Sequence, residues 1–295
     1  MDVDRMISII ASDMDGTLLN EQMQIPPKNA EAIKQAQAEG VHFVVATGRQ
    51  YKEAKPLVEA FGISVPLITL NGAAIYDVDG KILDMVPITR TMTRLIMRQL
   101  DLAGLYYEIT TSEGVVSNSR THRIQNLSLL LEGLNPDTPF KLAVAMSSAR
   151  VELMDIRYVD SYQEILDDTK IKILKIVAFG TGGQKQLRPI QEKIEDQVDV
   201  AITSSFENNI EINNPRAQKG IALQHYADGL NIPMSQVMAI GDNINDASML
   251  KVADTSYAMG NAVPAIKQIA NHLTVSNNEN GVGKAILEQL KNNHQ

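Results

Sequence analysis

Asp13 and Asp15 stand one residue apart in the run Asp13-Met14-Asp15-Gly16-Thr17, directly behind an apolar stretch at residues 6–11. Two carboxylates at that spacing, followed by Gly and Thr, predict a short, sharply turned loop. In such a loop a nucleophile, a second carboxylate and backbone N–H groups converge on one small anion. An ionised Asp needs no base to activate it, because its ordinary pKa is about 3.9. Asp13 can therefore attack phosphorus and form an aspartyl-phosphate. Asp15 can protonate the leaving oxygen and then deprotonate the water that hydrolyses the intermediate, help worth roughly 10²–10⁴-fold.

Phosphoryl chemistry also needs positive charge and donors, because Asp13 and a phosphate dianion repel each other. The segment Gly241-Asp242-Asn243-Ile244-Asn245-Asp246 offers hard oxygen ligands. With Asp13 and Asp15 these suit Mg²⁺, which prefers carboxylates, carbonyls and water. Lys219, at an expected helix start, offers a point charge to a phosphate. Thr47 offers a hydroxyl, and the Gly48 N–H can join it.

The elements that must bring these residues together are legible as alternation. Apolar runs at 6–11, 41–46, 67–70 and 236–240 read as buried strands, and each is followed by polar residues: Asp13, Thr47, Asn71 and Asp242. Helical patterns lie between the first three, one opened by Pro26-Pro27 and closed by Gly40, the next stopping at Gly62. Strand–helix repetition predicts a parallel sheet with right-handed crossovers. In such sheets ligands bind beyond the carboxyl ends of the strands. The pattern returns after Lys219, with further strands expected at 256–259 and 273–275 and a terminal helix from Gly283. The middle of the chain reads as helices and paired strands and predicts an inserted second α/β domain. The expected division is a core at 1–86 and 213–295, with the insertion at 87–212.

The 295-residue chain is 44% hydrophobic and 21% charged, as in globular proteins, and has no Cys, which excludes disulfides and thiolate metal sites. A formal charge of −8, with pI near 5.2, argues against nucleic acid or an anionic membrane as partner. No run is long enough to span a bilayer and no leader-like segment opens the chain, so a cytoplasmic protein is expected.

These motifs, in this order, resemble the haloacid dehalogenase (HAD) superfamily, Cof-type phosphatase branch. Asp13-x-Asp15-Gly16-Thr17, Ala46-Thr47-Gly48-Arg49, Lys219-Gly220 and Gly241-Asp242-Asn243-x-Asn245-Asp246 match its four motifs. Asn71-Gly72-Ala73 and Ala258-Met259-Gly260-Asn261-Ala262 are typical of the branch. The resemblance implies a Rossmann-like parallel-sheet core under an inserted α/β cap that sets specificity. It implies Asp13 as nucleophile and metal ligand, and Asp15 as acid/base and metal ligand through its carbonyl. Asp242 would be a metal ligand and Asp246 would orient the metal shell. Thr47, Gly48, Lys219, Asn245 and the Met14 N–H would hold phosphate. The chain departs from the family pattern at Asn214-Pro215-Arg216-Ala217-Gln218 before Lys219, and at Asn280-Gly281-Val282, where the family carries an Asp.

Other residues have plainer readings. Asp77-x-Asp79-Gly80 lies between two strand-like runs and predicts a hairpin turn. Arg49 fits either substrate stacking or pairing with a surface acid. His42 reads as a structural strand residue, and His122 with Arg123, in the insertion, either as residues facing the substrate or as part of a solvated loop, the plainer reading. The function expected is Mg²⁺-dependent hydrolysis of small phosphomonoesters, such as sugar phosphates. The alternatives are a phosphomutase or phosphotransferase of the same superfamily, or a non-catalytic phosphometabolite-binding protein.

Overall fold

The computed structural model describes residues 6–134, 137–204 and 206–293. In chain order the strands are β1 (Ile9–Asp13), β2 (His42–Ala46), β3 (Leu67–Thr69), β4 (Ala74–Tyr76), β5 (Ile82–Met85), β6 (Tyr106–Thr111), β7 (Gly114–Ser117), β8 (Ile156–Tyr158), β9 (Ile173–Phe179), β10 (Ala201–Thr203), β11 (Asn209–Asn213), β12 (Val237–Gly241), β13 (Thr255–Ala258) and β14 (His272–Leu273). The chain divides into two compact units, Met1–Val86 with Arg216–Gln295, and Pro87–Pro215.

The first unit is built on an eight-stranded sheet in the order β14-β13-β12-β1-β2-β3-β4-β5. From β14 to β3 every pairing is parallel. β3, β4 and β5 then pair antiparallel and form one edge. Every residue of β1 and of β12 is buried, which is why both read as unbroken apolar runs rather than as alternation. Helices Pro27–Ala38 and Lys219–Gly229 contribute Ile33, Ala36, Leu223 and Ala227 to the same core as Phe43, Val44 and Ile240. β1 lies where the strand order reverses: the chain continues to β2 and β3 on one side and returns through β12 and β13 on the other. That reversal opens a crevice at the carboxyl ends of β1 and its neighbours.

The register sets what meets there. Asp13 pairs with Ala46, and Ser12 with Ile240, so Thr47 and Asp242 follow one residue beyond the level of Asp13, and all three reach the rim. Three sequence expectations shift. Asp13 is the last residue of β1, not the first of the loop. β3 ends at Thr69, because Leu70 and Asn71 both turn to positive φ, 51° and 58°. The final helix starts at Gly281, two residues early, behind Asn280 at φ 64°. Asp77-x-Asp79-Gly80 is the β4–β5 turn: the Asp77 carboxylate accepts from the Asp79 and Lys81 N–H groups at 3.0 and 2.8 Å.

The second unit carries a six-stranded sheet in the order β10-β11-β9-β6-β7-β8, antiparallel except for β7–β8. One face is apolar, with Tyr107, Ile109, Ile176, Ala178, Ile210 and Ile212 packed in one cluster with Ile96, Leu100, Leu187 and Ile194 of helices Arg90–Leu102 and Gln184–Glu195. The opposite face holds two ion pairs, Arg123–Glu108 at 2.6 Å and Lys175–Glu211. The solvated loop expected at His122 and Arg123 is instead the start of helix Arg120–Leu134, where Ser119 accepts from the His122 N–H. No helix among the described residues is long and apolar enough to cross a membrane.

Candidate active site

The site grows from the end of β1. Asp13 is buried, and its Oδ1 accepts from Lys219 Nζ at 2.5 Å. Lys219 opens helix Lys219–Gly229 and is wholly buried, an unusual place for a lysine. Its ammonium also donates to Asp246 Oδ1 at 2.7 Å. Burial works against that charge, but Asp13 and Asp246 outweigh it and hold the Lys219 pKa above the ordinary lysine value.

Asp246 is fully committed. Its Oδ2 accepts from the Asp242 and Asn243 N–H groups at 2.9 and 3.0 Å, which folds the β12 exit into a tight turn. Gly241 makes room for it: a Cβ there would lie 2.6 Å from Asp246 Cβ. Thr17 Oγ1 donates to Asp242 Oδ1 at 2.7 Å. Gly16, at φ 78°, lets the loop pass close by, since a Cβ on it would lie 2.6 Å from Asp242 Oδ2.

Carboxylate oxygens of Asp13, Asp242 and Asp246 lie within 4.8 Å of one another. Burial, then the negative Asp246, pushes the Asp13 carboxyl well above the usual range, against the pull of Lys219. Burial raises Asp242 too, against the Thr17 hydrogen bond. Three carboxylates around one ammonium leave two negative charges uncompensated, the charge of one divalent cation. Asp13 and Asp242 each give one oxygen to a protein donor. These are hard oxygen donors, so the residues fit Mg²⁺.

Asp15 has a cationic partner of its own. Arg49 grips its carboxylate with Nε at 2.8 Å and Nη2 at 2.7 Å. Of the two readings left open for Arg49, the structure has the pairing with an acid. A second group of expected residues gathers at the exits of β2 and β3. Thr47 is buried, with its hydroxyl accepting from the Arg49 N–H at 3.1 Å. Gly48 sits beside the Asn71 side chain, whose Oδ1 would be 3.2 Å from a Cβ at that position. Asn245, exposed, donates to the same Asn71 Oδ1 at 3.1 Å. Met14 buries its side chain completely, leaving its backbone in the turn behind Asp13. The sequence motifs contain Thr17 and Asn71 but assign neither a role, because nothing local says which distant side chain each meets.

Comparison with known proteins shows the family. A family model described as haloacid dehalogenase-like hydrolase matches residues 10–286. Phosphatase YwpJ of Bacillus subtilis is 33% identical over 286 residues, covering 96% of this chain and 100% of the relative. The 5-amino-6-(5-phospho-D-ribitylamino)uracil phosphatase YwtE of the same organism is 30% identical, covering 95% and 97%. A solved haloacid dehalogenase-like hydrolase from B. subtilis superposes with a TM-score of 0.77 at 32% identity, over 95% of this chain and 99% of that one. The chain therefore belongs to the haloacid dehalogenase-like hydrolase family, in its Cof-type phosphatase branch, as a phosphoric monoester hydrolase.

Proposed function

We propose that the protein hydrolyses small phosphomonoesters with Mg²⁺, through an aspartyl-phosphate on Asp13. The observation that carries this reading is the buried contact of Asp13 with Lys219, beside Asp242 and Asp246 at the rim of the central strand. In the first step an Asp13 oxygen bonds to phosphorus, the ester P–O bond breaks, and Asp15 gives its proton to the departing oxygen. In the second, Asp15 takes a proton from water, the hydroxyl bonds to phosphorus, and the acyl-phosphate P–O bond breaks to return Asp13. Lys219 holds Asp13 in place and sets positive charge beside the phosphoryl oxygens. Thr47, the Gly48 and Met14 N–H groups and Asn245 supply neutral donors. A bound divalent cation, held by the Asp13 and Asp242 carboxylates and the Asp15 carbonyl, would offset charge on the phosphoryl group.

Substrate choice we assign to the unit Pro87–Pro215, and the class to phosphate esters of small polar metabolites such as sugar phosphates. A named substrate of one relative, the phosphorylated ribitylamino-uracil of YwtE, carries its phosphate on a polyol chain and belongs in the test panel. The test is release of inorganic phosphate from para-nitrophenyl phosphate and from that panel, with Mg²⁺ and with EDTA. Turnover that needs Mg²⁺ and no acceptor alcohol supports the reading. Release that depends on an acceptor would make the enzyme a phosphotransferase. Binding without turnover would make it a phosphometabolite-binding protein.

A further inference from the structure

The turn after β3 has no assigned role, yet it touches three of the loops expected to hold phosphate. Leu70 and Asn71 both adopt positive φ, which costs a branched residue such as leucine on the order of 1–3 kcal/mol. Their backbone is fixed by one of those loops, the exit of β2: the Leu70 N–H donates to the Arg49 carbonyl at 3.0 Å, and the Asn71 N–H to the Thr47 carbonyl at 2.9 Å. Gly72, at φ 104°, lies against the residue before Lys219, where a Cβ would be 2.4 Å from the Gln218 carbonyl oxygen. The Asn71 side chain abuts Gly48, and its Oδ1 accepts from Asn245 Nδ2 at 3.1 Å. One three-residue turn thus ties together the loops bearing Thr47 and Gly48, Lys219, and Asn245. A strained backbone held by surrounding contacts at a site edge points to function.

We propose that Asn71 is a positioning residue for phosphate recognition. By accepting one N–H of the Asn245 amide, it fixes that side chain with its second N–H free to donate to the anion that Thr47 and Gly48 also face. Without the acceptor the exposed Asn245 side chain samples several rotamers, and the donor is lost for part of the time. This rests on the phosphatase reading of the site, and concerns how one donor is oriented within it.

The test separates side chain from backbone. Glycine accepts φ 58° without strain, so Asn71→Gly keeps the turn and removes only the acceptor. Inorganic phosphate binding is measured by calorimetry with Mg²⁺, and KM and kcat with para-nitrophenyl phosphate, for wild type, Asn71→Gly, Asn245→Ala and the double variant. Asn71→Gly should melt with the wild type and weaken phosphate binding by about 5–10-fold, the scale of one hydrogen bond. KM should rise by the same factor, so the loss sits in KM rather than kcat. The double variant should bind phosphate no more weakly than Asn245→Ala alone, because Asn71 acts through Asn245. Wild-type affinity in Asn71→Gly, or losses that multiply in the double variant, overturns the proposal and leaves the phosphatase reading intact. A wild type that neither binds phosphate nor hydrolyses the aryl ester overturns both.

Discussion

Arg49 and Asp15 form a two-pronged ion pair, 34 residues apart in sequence, with both carboxylate oxygens held at 2.7–2.8 Å. Asp15 is the group assigned to move the proton, and Arg49 fixes the orientation of its carboxylate. Lysine cannot reproduce a planar two-pronged grip. Both Arg49→Lys and Arg49→Ala should therefore lose orientation of Asp15. The expected fall in kcat/KM with an aryl phosphate is roughly 10–100-fold for Arg49→Ala, with only part of it recovered in Arg49→Lys. Steady-state kinetics on the three proteins checks this, and an Arg49→Ala enzyme with wild-type kcat/KM would remove the pair from the mechanism.

Gly16 combines a left-handed backbone with a close approach to Asp242. A methyl group there meets Asp242 Oδ2 at 2.6 Å, so Gly16→Ala must either move that carboxylate or distort the loop. The expected result is a stability loss of about 1–3 kcal/mol and a rise of about tenfold or more in the Mg²⁺ concentration for half-maximal turnover. Thermal melting and a magnesium titration read the two effects separately. An unaltered magnesium dependence would mean that Asp242 does not hold the cation.

The raised Asp13 and Asp242 carboxyls make a prediction about the metal-free protein. A carboxyl whose pKa is raised by folding is accommodated in its neutral form. The stability it contributes is complete below the ordinary carboxylate pKa and is lost as pH rises through its elevated native value. In EDTA, therefore, Asp13→Asn should melt higher than wild type near pH 7, by an amount on the order of 1 kcal/mol or about 2–4 °C. The gain should vanish toward about pH 4, where the wild-type carboxyl is also neutral. Added Mg²⁺ should stabilise wild type more than the variant, since ligand binding to the folded state raises its stability. Calorimetry at the two pH values decides it. A variant less stable than wild type at neutral pH in EDTA would show that the Lys219 contact outweighs the burial cost.

Much of the core was legible because buried parallel strands write themselves as continuous apolar runs. The runs ending before Asp13, Thr47 and Asp242 mark three neighbouring strands, and register carries those residues to one rim. The β4–β5 turn was legible from Asp77 and Gly80, whose chemistry is local. What failed depends on contacts between distant side chains or on backbone choices that leave no local trace. Leu70 continues the apolar run of β3, so nothing announces its positive φ. Ser119 acts as a helix cap although the stretch around it is polar enough to read as a loop. The choice of Asp15 as the partner of Arg49, and of Asn71 as the partner of Asn245, is made by geometry across the rim, which spacing along the chain does not encode.

The central claim, that Asp13 bonds to phosphorus, is tested most directly by acid-quenching the enzyme during turnover of an aryl phosphate with Mg²⁺ and locating the phosphoryl group by mass spectrometry. The account predicts it on the peptide carrying Asp13, with none in Asp13→Asn and no turnover by that variant. An unlabelled Asp13 together with an Asp13→Asn enzyme that still releases phosphate at the wild-type rate would contradict it.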